Sequence, residues 1–198
     1  MGLRDLLFGR SKLKEASTDQ LFALSTARVT LETELGLRPA GRAGICFKPL
    51  SAGEFAQAES ELAELLAVAA RDSGSRVSQS TDEHGFQWIV VEDPELEDLI
   101  TTVHLVGSDL AARGFGAQLL AAVFRFEGRE RPVYWIYGYK RAAFWPFIPT
   151  GKGQERDNAE ELSLKAQLEG ELPVEQDLSR SCPLPVGMKG QKAARLYP

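Results

Sequence analysis

The residues best equipped to do chemistry lie between Val133 and Gly151. Tyr134, Trp135, Tyr137, Tyr139 and Trp145 are five of the chain's seven tyrosines and tryptophans, and Lys140 and Arg141 stand among them. Aromatic rings beside basic side chains can stack on nucleic-acid bases or anchor a protein partner. They can also fill a sheet face. The formal net charge is -5, which argues against nucleic acid, since phosphate recognition needs a basic surface. Two readings of the run stand. Its strand half serves as core, and its second half offers a partner surface formed by Lys140, Arg141, Phe144, Trp145 and Phe147.

Other reactive-looking groups fail on spacing. Thr150-Gly151-Lys152-Gly153 resembles a phosphate loop, but that pattern needs Gly where Pro146 stands and Ser or Thr where Gly153 stands. Gly114-Phe115-Gly116 precedes a strand, whereas a dinucleotide loop follows a strand and opens a helix. The chain has two histidines, His84 and His104, and two cysteines, Cys46 and Cys182. They show no spacing that would converge three or four ligands on zinc. His104 could in principle activate Cys46 as a nucleophile, but nothing in the sequence places them together. The carboxylates fall on helix faces and caps, where solvation accounts for them. The sequence therefore predicts no catalytic residue, no cofactor and no metal, and a protein that is not an enzyme.

Composition bounds the class. A chain of 198 residues, 43% hydrophobic and 26% charged, can bury a substantial core and is not disordered throughout. Charge is unevenly placed. Residues 1–14 carry four basic side chains against Asp5, a net of +3. Residues 152–177 carry eight acids and three bases, a net of -5, and residues 179–198 carry four bases and no acid. Basic ends flanking an acidic module can touch an acidic partner or an anionic membrane. No secretory signal and no membrane-spanning stretch is legible. The expected location is cytoplasmic, with peripheral membrane contact through the basic, amphipathic N-terminal segment as the alternative.

The elements that must position these residues follow from periodicity. A short helix is predicted from Thr18 or Asp19 to Leu24, then a strand over 27–34, where apolar and polar residues alternate. Gly36 to Gly44 reads as a turn, and residues 43–50 as a strand. Ser51 and Glu54 have capping-box spacing before a helix reaching Arg71. Residues 76–81 and 85–92 read as a hairpin. Leu96, Leu99, Ile100, Val103, Val106 and Leu110 form a helical stripe that Gly114 stops. Residues 115–127 and 133–140 read as paired strands, 144–149 as an apolar corner, and 158–168 as a helix capped by Asp157. Strands in adjacent pairs predict an α+β fold: a largely antiparallel sheet with helices mainly on one face. The division expected is a basic N-terminal segment (1–17), one α+β domain (18–178) and an irregular basic tail (179–198).

Several stretches together resemble one family. Tyr137-Gly138-Tyr139-Lys140-Arg141-Ala142-Ala143-Phe144-Trp145-Pro146-Phe147 is the most specific. Pro149-Thr150-Gly151, Arg156-Asp157-Asn158 and Leu172 to Leu178 accompany it. With Gly44 to Pro49 and Gly114 to Leu120, they make the chain similar to the PspA-associated protein PspAB, an accessory of the phage-shock, envelope-stress system. The resemblance implies protein–protein contact with PspA or other proteins of that system, and no enzymatic activity. It carries over no functional residue.

The element order is also similar to secretion-chaperone-like and YbjN-like folds. A peptide or protein chaperone is therefore a competing function, and a homodimer a competing assembly. The chaperone reading expects an apolar groove lined by Trp135, Tyr139, Phe144 or Trp145. An uncharacterised enzyme is the third reading.

Overall fold

A computed structural model describes residues 17–48, 64, 66–68, 74–82, 85–151 and 155–177. The two basic termini, most of the helix expected over 51–71, His84, Lys152 and Cys182 lie outside these residues.

Among the described residues, six strands form one sheet: β1 (Arg38–Phe47), β2 (Arg76–Thr81), β3 (Gln87–Glu92), β4 (Leu119–Glu127), β5 (Val133–Gly138) and β6 (Ala143–Phe147). Their order is β2-β3-β1-β4-β5-β6. Every neighbouring pair is antiparallel. The described helices include α1 (Ala23–Thr26), α2 (Arg28–Thr33), α3 (Leu96–Leu110) and α4 (Asn158–Leu168), and a 3-10 turn (Asp19–Phe22) precedes α1. The expected antiparallel α+β architecture is the one found.

The helices share one face of the sheet. Leu21, Leu24, Leu31, Ile100, Val103, Val106, Leu164 and Leu168 pack there against alternate strand residues such as Ile45, Ile89, Phe124, Trp135 and Tyr137. The other face carries Cys46, Trp88, Val90, Ala121, Val123, Tyr134, Ile136, Trp145 and Phe147, and these are also buried. Near-continuous apolar runs in β4 and β5 follow from this, because a strand covered on both faces has no wet side to alternate with.

Two expectations are corrected. In place of a strand over 27–34, residues 28–33 are helical, flanked by turn residues Ala27 and Glu34. The buried positions Leu21, Leu24, Ala27 and Leu31 recur at spacings of three and four, while Val29 is 68% exposed. The alternation that reads as a strand places Val29 among the buried residues, and burial follows the helical period instead. The apolar corner at 144–149 contains strand β6. Its Pro146 is tolerated because β6 is a sheet edge.

β1 also starts earlier than expected, at Arg38, inside the predicted turn. It absorbs Pro39 and Gly41 through an irregularity against β4 between Pro39 and Ala43. Gly41 lies at φ +67, and a Cβ there would stand 3.3 Å from the Asp93 carbonyl oxygen.

Candidate partner-binding surface

The aromatic-basic run folds into the β5–β6 hairpin. Its turn closes where Arg141 N–H and Ala142 N–H both donate to the Gly138 carbonyl, at 3.0 and 2.8 Å. Ala142 takes φ +53, a left-handed conformation rare for a residue with a side chain. This turn lifts Lys140 and Arg141 into solvent. Arg141 Nη1 reaches Glu175 Oε2 at 3.4 Å.

The three aromatics expected on the partner surface are not on it. Phe144 is fully buried on the helix side, its ring 4.8 Å from that of Tyr137. Trp145 and Phe147 are 7% and 5% exposed on the opposite face. The cause is β6 itself: strand geometry sends successive side chains to opposite faces, and both faces are covered. Gly138 is required here, because a Cβ would stand 2.9 Å from the Trp145 ring. Trp135, Tyr139, Phe144 and Trp145 are all buried, so they do not line an open apolar groove. Of the expected surface, Lys140 and Arg141 remain exposed.

The separate stretches of the sequence block converge on β6. Phe144 N–H donates to the Pro173 carbonyl at 2.7 Å, and Glu175 N–H donates to the Phe144 carbonyl at 2.8 Å. Residues 173–175 thus cover the outer edge of β6. Past the end of β6, Asp157 N–H donates to the Ile148 carbonyl at 2.9 Å, and Thr150 N–H to that of Glu155 at 3.1 Å. Asp157 Oδ1 accepts from Glu160 N–H at 3.1 Å and caps α4. Its Oδ2 accepts from Arg131 Nη1 at 3.0 Å. The reciprocal half of the capping box is absent, since Glu160 turns to Arg129 instead, at 2.6 Å.

A buried ion pair anchors this region, and its spacing gave no signal. Glu161, 5% exposed, accepts from Ile148 N–H at 2.7 Å through Oε1. Its Oε2 accepts from Arg156 Nε at 2.6 Å. The Arg156 guanidinium also lies 5.5 Å from the centre of the Phe147 ring. Burial raises the Glu161 carboxyl above its ordinary value, and Arg156 opposes that shift.

A serine, a histidine and an aspartate also meet, near the start of the described chain. His104 Nε2 lies 3.5 Å from Asp19 Oδ1 and 3.5 Å from Ser108 Oγ. Ser108 Oγ is 2.9 Å from Thr18 Oγ1. A nucleophilic triad needs the acid on one ring nitrogen and the serine on the other. Here both contact the same nitrogen at long range, and the Asp19 side chain is 95% exposed. His104 and Cys46 do not pair either: the helix bearing His104 packs on one face of the sheet, and Cys46 belongs to the cluster on the other. Burial pushes the Cys46 thiol far above its ordinary value, away from the reactive thiolate. Among the described residues, no three His, Cys, Asp or Glu side chains could together hold a metal ion. No described helix is long and apolar enough to cross a membrane.

The fold places the chain among antiparallel α+β proteins built on one open sheet. The family model of PspA associated protein B, PspAB, matches residues 1–187, nearly the whole sequence, and the chain belongs to that family. No curated protein and no solved structure matches it.

Proposed function

We propose that this chain is a non-enzymatic accessory protein that binds PspA, or another protein of the phage-shock system, and acts in the envelope-stress response by protein–protein contact. The observation that carries this reading is the family match over residues 1–187, whose name specifies association with PspA. The proposal assigns no catalytic role to the His104 cluster, which is misaligned, or to Cys46, which is buried. The exposed turn at Lys140 and Arg141 supplies a basic contact point, and it sits on the hairpin where the family-like sequence block converges. Basic side chains of this kind speed encounter with an acidic partner and fix its orientation.

The test is affinity capture of the full chain from cells under envelope stress, followed by identification of the bound proteins. PspA or another protein of its system is expected among them. Capture that recovers none of these overturns the reading.

A further inference from the structure

The two edges of the sheet are treated differently. At β6, residues 173–175 cover the outer edge and Pro146 interrupts it. At β2, among the described residues, no backbone group pairs with the outer edge. β2 reads Arg76-Val77-Ser78-Gln79-Ser80-Thr81 and pairs with β3 without a register break. It contains no proline, lysine or bulge, the devices that normally blunt an exposed edge. Arg76, Ser78, Gln79 and Thr81 are exposed, and Val77 and Ser80 half-buried. Every second residue of such an edge turns its N–H and C=O outward, a template for one more strand.

The residues of β2 also say which strand fits. Facing positions in an antiparallel pair lie on the same side of the sheet. A twofold axis perpendicular to the sheet, midway between the two copies' Gln79 residues, satisfies this, since it pairs residues whose numbers sum to 158. Gln79 then faces the second copy's Gln79. Val77 faces its Thr81, and Ser78 its Ser80. At each end Arg76 faces the second copy's Asp82, so opposite charges meet and no like charges do. The Arg76 side chain is 82% exposed and pairs with Glu92 of β3 at 3.0 Å, so the second copy's Asp82 would join that pair from across the axis. Asp82 is held at the strand end, its Oδ2 accepting from Trp88 Nε1 at 3.0 Å and its Oδ1 from Phe86 N–H at 2.9 Å.

We infer that β2 is a homodimer interface, joining two six-stranded sheets edge to edge in the register that centres on Gln79. This does not depend on PspA, and its failure would leave the proposed function standing.

Full-length protein would be studied by sedimentation equilibrium and by disulfide trapping under mild oxidation. The parent is expected to sediment as a concentration-dependent dimer. Gln79→Cys places two thiols directly opposite each other and is expected to trap a covalent dimer. Ser78→Cys leaves its own copies about 8 Å apart, one pair removed along the strand, beyond disulfide reach. It is expected to trap about tenfold less. Gln79→Lys puts like charges at the axis and is expected to be monomeric with an unchanged far-ultraviolet circular dichroism spectrum.

A parent that is monomeric at every concentration overturns the proposal. So does a Gln79→Lys variant that dimerises as the parent does, or trapping through Ser78→Cys equal to that through Gln79→Cys. Should Gln79→Lys lose its fold, the two cysteine variants decide the matter alone.

Discussion

Arg156 and Glu161 form a buried ion pair that ties the segment after β6 to helix α4. Arg156 Nε donates to Glu161 Oε2 at 2.6 Å, and the other carboxylate oxygen accepts from Ile148 N–H. Removing the carboxylate takes the anionic partner from a largely buried guanidinium, which keeps the Pro146 carbonyl at 3.4 Å, and the acceptor from the buried Ile148 N–H. Glu161→Ala is expected to cost about 3–5 kcal/mol, the range for breaking a buried pair from one side. Urea unfolding with an unchanged slope measures it. A loss under about 1 kcal/mol would mean that the pair is no anchor.

The same carboxyl gives a pH dependence. Burial, its largest influence, raises Glu161 above its ordinary value of 4.5, against the pull of Arg156. The folded chain therefore holds this proton more tightly than the unfolded chain does. Where the folded state binds more protons, stability falls as pH rises. The stability lead of the parent over Glu161→Gln should therefore narrow as pH rises from 4.5 through the raised value. Urea midpoints of both proteins across that window test the sign, and a widening lead contradicts it.

Gly107 and Tyr139 are in close contact. A Cβ on Gly107 would stand 2.9 Å from Tyr139 Oη and 3.2 Å from its ring. The Tyr139 ring is fully buried and has no room to retreat. Gly107→Ala is expected to destabilise by about 1–3 kcal/mol through overpacking, although alanine is the better helix former. Among the described residues, Tyr139 Oη is buried without a hydrogen-bond partner. Tyr139→Phe should therefore raise stability by about 1 kcal/mol and relieve part of the Gly107→Ala penalty. Thermal melts of the two single variants and the double variant measure that coupling.

Cys46 should be inert in the folded state. It is fully buried, and burial disfavours its thiolate. Alkylation followed by peptide mass analysis is expected to leave Cys46 unmodified in native buffer at mildly alkaline pH and to label it in denaturant. Rapid native labelling would show that the second face of the sheet opens readily.

Some of this was legible in the sequence. The 76–92 hairpin, the α3 stripe and the Asp157 cap rest on local patterns, and each lies where its pattern places it. The strand expected over 27–34 was not found, because Val29 alternates with the right period yet faces solvent, and only tertiary packing distinguishes the two cases. β6 was hidden by Pro146, which sequence rules read as a break and an edge strand accepts. For the same reason Phe144, Trp145 and Phe147 read as an exposed cluster, though they alternate between two buried faces. The Arg156–Glu161 pair spans five residues, a spacing with no helical or strand signature.

The surface assignment rests on Lys140 and Arg141. Both side chains are exposed at the β5–β6 turn, and Arg141→Glu also sets a like charge beside Glu175, so Lys140→Glu with Arg141→Glu should cost about 1 kcal/mol and leave the chain folded. Partner capture should fall sharply. Undiminished capture by the folded double variant would move the contact elsewhere on the chain.

Direct binding of purified full-length protein to purified PspA tests the central claim. Isothermal titration calorimetry is expected to show saturable binding that the Lys140→Glu, Arg141→Glu variant weakens by about tenfold or more, about 1.4 kcal/mol. No heat of binding, together with no PspA-system protein recovered from stressed cells, would contradict the account.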